Sequence, residues 1–481
     1  MVRLKIAMRF LAPFLGGVAG LVASAAGMEH LAAVTLGITV LTALWWMFEA
    51  IPIPIASLVP IALLPLFGVL PAKTTVAQSY GHPLILLLMG GFFLSKGMEK
   101  SGVHQRLALG MVRLCGGRRA DGKTQPKRLM LGFMLASAVL SMWISNTATT
   151  LMLLPIALAV LDGSRQEGGL AQNPVAAPLM MGIAYAASVG GLGSPIGTPP
   201  NLVFIEQYKE ATGIEMSFSE WMGYGVPVVV IMLPLMWLWL SRKQEGEMTL
   251  ALPEVGAWRP AERRTLLVFG LTALAWVTRV EPFGGWSQLL GLRCANDASV
   301  AFLGVIFLFL IPDGTGGKGQ KGQKGTERGR LLDWETCKEI PWGVLLLFSG
   351  GICLAAGIKD SGLSAEIAGA LSGVGSLPVL ALIFTVCLLM TFLTELTSNT
   401  ASTILIMPIL ATVALSNELD PLLIMLPAAL SASCAFMLPV ATAPNAVVFG
   451  SGHLTVPRMM REGLVLNLIG VVGISLYCAF R

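Results

Sequence analysis

Charge is scarce in this chain. Only 12% of its 481 residues are Asp, Glu, Lys or Arg, while 55% are hydrophobic. Soluble domains carry about 25% charged residues, so the composition excludes one. Metal chemistry is equally short of material. The four histidines (His30, His82, His104, His453) show no HExxH or other ligand spacing. The seven cysteines form no CxxC pair and lie mostly in apolar runs, where they read as small core residues. No metal cluster or acid–nucleophile pair sits in an apolar run, so no intramembrane enzyme is expected. The alternating ten-residue segments of a membrane β-barrel are absent too. One low-complexity stretch, "DGTGGKGQKGQKGTERGR" (313–330), lacks the spacing of a phosphate loop. Its period-three glycines are too few, and too free of proline, for a collagen helix. It reads as a flexible basic linker that can touch anionic lipid.

What the chain does have is long apolar runs, each enough for a bilayer-spanning helix of roughly 20 residues. They predict an all-α polytopic membrane protein with spans near 11–27, 31–48, 51–70, 83–99, 175–194, 222–240, 264–280, 298–312, 341–358, 421–438 and 462–480. Two longer runs, 129–161 and 378–415, stand apart. With Arg3, Lys5 and Arg9 inside, the loops 100–128, 241–263 and 313–340 also fall inside and hold most of the Lys and Arg. That matches the positive-inside rule and predicts a cytoplasmic N-terminus in the plasma membrane, or in the inner membrane of a bacterium. Glu206, Glu210, Glu215 and Glu220 fall on the opposite side. The basic start and "ASAAG" resemble a cleaved leader. Another span follows at once, however, so residues 11–27 are read as the first transmembrane helix.

The chain repeats itself. "LLMGGFFLSKGMEKSGV" (87–103) aligns with "LLFSGGICLAAGIKDSGL" (346–363). "SNTATTLMLLPI" (145–156) aligns with "SNTASTILIMPI" (398–409), and "PIGTPPNLVF" (195–204) with "PVATAPNAVVF" (439–449). Three blocks recur in one order, so the halves are read as a duplication. The predicted topology sends 83–99 inward and 341–358 outward, which makes the repeats inverted. That is the architecture of many secondary transporters, with the site where the repeats meet.

The two long runs span 33 and 38 residues and contain no charged turn where a two-span hairpin would emerge into water. Their turn-like residues are the SNT clusters, so each run is read as a re-entrant hairpin with its tip inside the membrane. Such backbone persists only when buried in protein or lining a wet cavity. Ser, Asn and Thr are preferred N-caps. Each new half-helix therefore aims free N–H groups at the cavity, suiting a carboxylate or sulfate. Each preceding half-helix ends in free carbonyls, which suit a hard cation such as Na⁺. A lone SNT can serve as glue between membrane helices. Duplicated, in runs of this length and with Pro-broken partner segments, it marks a site. No Arg or Lys lies in the two long runs or in the Pro-broken segments 195–204 and 439–449. Burying a dianion without a fixed cation is costly, which favours symport with Na⁺ over an anion channel.

Paired SNT motifs, each followed by a [GA]-T-[PA]-P-N loop, resemble the divalent anion/sodium symporter family, which includes the sodium-coupled di- and tricarboxylate carriers. The resemblance covers nearly the whole chain beyond the first helix. It implies a homodimer whose protomers move a transport domain against a scaffold as an elevator, with no cofactor beyond the coupling sodium ions. The expected division is scaffold 1–125, transport 126–240, a cytoplasmic connector 241–263, scaffold 264–375 and transport 376–481. The implied substrates are C4 dicarboxylates such as succinate or malate, with citrate or sulfate in some members. A sodium-independent exchanger on the same fold is the alternative. Carried over by motif, a first sodium site uses Ser141, Ser145, Asn146 and Gly197, and a second uses Thr394, Thr397, Asn399 and Ala441. The substrate meets Asn146, Thr147, Ser398, Asn399, Thr400 and Thr442. The second loop has Ala443 where some relatives have proline. Glu395, three residues before Ser398, has two readings: a local pairing, or a cation or proton sensor.

Overall fold

The computed structural model describes residues 2–116, 123–162, 173–249, 256–281, 284–292, 294–314, 329–370 and 378–481. Most of the Gly/Lys-rich linker and part of the connector lie outside them. The described residues are helical apart from short turns and a two-residue antiparallel pairing of Lys123–Thr124 with Met248–Thr249. Nine helices among them are long and apolar enough to cross a membrane, and two of these are the arms of the second long run.

The first half opens with α1 (Val2–Ala25) and α2 (His30–Phe48) packed against each other. The run 51–70, expected as one span, is broken. A four-residue helix, Ile53–Ala56, precedes α3 (Leu58–Leu66), with Ser57 alone between them. Pro60 cannot donate to the carbonyl of Ala56 and its ring crowds it, so the helix parts there. Then come α4 (Pro83–Ser101), α5 (Val103–Gly116), α6 (Pro126–Ser141), α7 (Asn146–Asp162), α8 (Ala176–Gly190), α9 (Pro199–Thr212) and α10 (Phe218–Ser241). Two helices, α11 (Pro260–Val277) and α12 (Asp297–Leu310), lead into the second half. There the order is α13 (Trp342–Asp360), α14 (Leu363–Ala370), α15 (Val379–Leu396), α16 (Asn399–Ser416), α17 (Pro421–Ser431), α18 (Ala443–Phe449) and α19 (Val456–Ala479). The expected span 421–438 is thus an eleven-residue helix followed by irregular backbone. Within the expected loop 100–128 lies α5, which packs on α6.

The centre is α8, all of whose residues are buried. It packs against α6, α7 and α10 of its own half and α18 of the other. Its counterpart α17 packs against α15, α16 and α19, and against α9 of the first half. The crossing is reciprocal: α9 lies on α16, and α18 on α7. Outside this core, α12 packs on α4 and α3 on α13. The outer flanks of α10, α11 and α12 expose Val230, Leu267, Leu271, Leu303 and Leu310, as a surface bathed by lipid requires.

Candidate transport site

The first SNT lies where α6 stops and α7 starts. Ser145 Oγ accepts from the N–H of Ala148 at 3.2 Å, capping α7. Asn146 opens that helix, and its Oδ1 accepts from Ser141 Oγ at 2.5 Å. Ser141 is fully buried, whereas Ser145, Asn146 and Thr147 are half-buried. The tip is therefore accessible while its support is sealed.

A broken helix closes over this tip. Beyond Gly190 the chain makes one tight turn, Gly191–Gly193, and extends at Ser194 and again at Thr198 before α9. Ser194 Oγ donates to the carbonyl of Met142. A Cβ added to Gly191 would lie 2.9 Å from Asn146 Oδ1 and 3.2 Å from the Gly197 carbonyl oxygen. One added to Gly197 would lie 2.4 Å from the carbonyl oxygen of Gly191. Only glycine fits at either position, and the gap it leaves is edged by the Asn146 amide and by backbone carbonyls. The structure thus brings Ser141, Asn146 and Gly197 together, while Ser145 engages its hydroxyl in the cap. Hydroxyl, amide and carbonyl oxygens are neutral hard donors, a set that fits an alkali cation.

At the second tip, Thr397 is extended (φ −130°, ψ 165°) and ends α15. Ser398 caps α16 by accepting from the N–H of Ala401 at 3.5 Å. Asn399, Ser398 and Thr400 are half-buried, and Asn399 Oδ1 is buried with no partner among the described residues. That oxygen is an acceptor whose chemistry suits a cation or a hydrogen-bond donor. Thr394 donates to the carbonyls of Met390 (2.9 Å) and Thr391 (3.1 Å). Thr397 Oγ1 lies 2.7 Å from the Leu393 carbonyl and 2.5 Å from Ser402 Oγ. Ala441 lies in the broken segment that follows α17, where its N–H donates to the Leu438 carbonyl. Thr442 caps α18 by accepting from the N–H of Asn445 at 3.3 Å.

Glu395 makes a local pairing. Its Oε1 accepts from the Met437 N–H at 2.8 Å and from Asn467 Nδ2 at 2.7 Å, and its Oε2 accepts from the Leu438 N–H at 3.0 Å. It ties the second broken segment to the second tip, as Met142 and Ser194 do in the first half. Sequence reasoning missed Asn201 and Asn445. Asn201 Nδ2 donates to the carbonyls of Gly191 (2.9 Å) and Ser194 (2.8 Å). Asn445 Nδ2 donates to those of Ala435 (3.1 Å) and Leu438 (3.0 Å). The signal was there: both close a repeated motif at the same place.

Over residues 4–480 the sequence matches the family described as the sodium:sulfate symporter transmembrane region. The chain belongs to that family. This symporter-family member is 38% identical over 461 residues to the sodium-dependent dicarboxylate transporter SdcS of Staphylococcus saprophyticus, covering 92% of this chain and 85% of that one. The Staphylococcus aureus protein of the same name is 38% identical over 457 residues, covering 92% and 84%. Two solved transporter structures share the fold. The YdaH transporter of Alcanivorax borkumensis has a TM-score of 0.57 at 15% identity, covering 87% of this chain and 88% of its own. MtrF of Neisseria gonorrhoeae has 0.55 at 13%, covering 94% and 95%. The symporter-family member is a multi-pass membrane transporter, not an enzyme.

Proposed function

We propose that the protein couples Na⁺ entry to uptake of a C4 dicarboxylate such as succinate or malate. The observation that carries this reading is the pairing, at each SNT tip, of neutral hard oxygens with a freshly capped helix start. In the first half the oxygens come from Ser141, Ser145, Asn146 and Gly197, and in the second from Thr394, Thr397, Asn399 and Ala441. Between them, the N–H groups and side chains of Asn146, Thr147, Ser398, Asn399, Thr400 and Thr442 meet the carboxylates. Nothing basic lies in the two long runs or the Pro-broken segments, so bound Na⁺ supplies the positive charge. That requirement makes each ligand raise the other's affinity. The curated relatives, named sodium-dependent dicarboxylate transporters, support the same reading, and the family description extends the candidate anions to sulfate.

The matching neighbours of α8 and α17 support inverted repeats, and the broken helices packed beside both half-buried tips support re-entrant hairpins. In this reading α6–α10 with α15–α19 form the transport domain of one protomer in a homodimer and move as an elevator. The remaining helices form the scaffold, and the N-terminus is cytoplasmic. The test is succinate entry into liposomes containing the purified protein. An inward Na⁺ gradient is expected to drive accumulation that a K⁺ gradient does not, and competing malate, citrate and sulfate then rank the anions. Equal uptake under both gradients sinks the coupling, and uptake that needs internal succinate instead favours an exchanger.

A further inference from the structure

Two buried asparagines outside the proposed ligand sets make the same contacts in both halves. Asn201 is the third residue of α9 and Asn445 the third of α18. Each turns its amide back and gives both hydrogens to carbonyls ten and seven residues earlier. Both side chains have no exposed surface. Their orientation is dictated, because two carbonyl oxygens can accept only from the NH₂ end. It has a cost, since Oδ1 of each is left buried and without a partner among the described residues. The same cost recurs at the same place in both halves, so the two donated bonds are the purpose of the residue.

The carbonyls they hold stand where a helix has come apart. Gly191 and Ser194 follow α8, and Ala435 and Leu438 follow α17. Free carbonyls there would swing toward any cation or water nearby. Gly191 is also the residue at which an added Cβ would press on the Asn146 amide and the Gly197 carbonyl, so the clamped segment lies beside both. In the second half, Leu438 is held on its other side by Glu395 and receives the N–H of Ala441. We propose that Asn201 and Asn445 are positioning residues: each locks its broken segment so that the oxygens facing Na⁺ are set before the ion arrives. The inference rests on the Na⁺-coupling reading. Its physical content is preorganisation: ordering done during folding is not charged against ion binding. Loss of either clamp then weakens the response to Na⁺ more than it weakens the fold.

The test uses Asn201→Asp and Asn445→Asp, which keep the shape but remove both donors. Asn201→Ser and Asn445→Ser, smaller and uncharged, carry the test if the first pair does not fold. Two quantities are read on purified protein. One is the Na⁺ concentration giving half-maximal thermal stabilisation, with K⁺ as control. The other is amide exchange over 191–198 and 435–442. The expected result is a rise of about tenfold or more in the Na⁺ concentration, with faster exchange confined to the segment whose clamp is gone. A lower melting temperature with an unchanged Na⁺ response overturns the proposal, because it describes a merely structural residue. Unchanged exchange overturns it as well. If the unaltered protein shows no preference for Na⁺ over K⁺, the coupling reading fails and takes the ion-positioning role with it. The exchange data then still decide whether the asparagines hold their segments.

Discussion

Asn146 and Asn399 occupy matching places in the two tips but are bonded differently. Asn146 Oδ1 receives a hydroxyl from Ser141, whereas Asn399 Oδ1 receives nothing among the described residues. The equivalent of Ser141 is Thr394, which turns its hydroxyl into its own helix. The tips are therefore alike in sequence and unequal in oxygen supply. Replacing either asparagine by alanine removes an oxygen and an amide donor at once. Asn146→Ala and Asn399→Ala should each cut Na⁺-driven uptake by about a hundredfold or more, the scale of a lost charge-assisted contact set, while the protein stays folded by size-exclusion chromatography. Near-normal uptake by both would remove the site assignment. These residues were legible because three polar side chains in an apolar run need a reason, and a second copy supplied it. Glu395 was visible, but its partners lie about forty and seventy positions away, at Met437, Leu438 and Asn467. No local pattern could have chosen between its two readings.

At the scale of elements, hydropathy found the helices and misjudged their ends. It could not see that Pro60 splits the third span, that α17 stops at Ser431, or that the charged stretch after Ser101 contains α5. Apolar content measures where a segment can sit, whereas helix ends depend on caps and backbone hydrogen bonds. The turn at Trp334–Cys337 illustrates such a cap. Asp333 accepts from the Thr336 N–H at 2.8 Å and from Lys100 Nζ, at the end of α4, at 2.6 Å. Burial works against its charge, yet the donors Lys100 and Thr336 hold its carboxyl down at about 2. Its ordinary value is about 3.9. The contact therefore stabilises the fold fully above about pH 4, and that contribution is lost as pH falls through 2. Asp333→Asn should lower the melting temperature at pH 7, with the gap to the unaltered protein closing as pH approaches 2. A gap of equal size at both ends of that range would show that the charge is not responsible.

For the molecule as a whole, the contact to watch joins α4 to α9. His82, at the start of α4, places Nε2 3.1 Å from Glu206 Oε1 on α9. In the proposed division α4 belongs to the scaffold and α9 to the moving domain. Cysteines at both positions (His82→Cys with Glu206→Cys), bridged by a reducible bifunctional thiol reagent that spans the lost side chains, should stop uptake until a reductant restores it. Full uptake by the cross-linked protein would contradict an elevator that separates these helices. The expected scaffold also includes α5 and α14, yet these lie against α6 and α16. In that proposed division, both helices sit at the boundary between scaffold and transport domain. The sequence could suggest two copies of one plan, from its three recurring blocks. It could not reveal that α9 and α18 cross to the opposite copy, because alignment compares halves and says nothing about which half covers which.

That exchange of flanking helices has a consequence for how the protein is made. The cover for α7 is α18, which leaves the ribosome about 280 residues after α7 ends. Until then α7 has one flank open, although residues 191–198 of its own half already cover the tip. A nascent chain halted midway is thus a vulnerable intermediate, open to misassembly and to quality-control proteolysis. A first half released alone lacks the surface that would complete it.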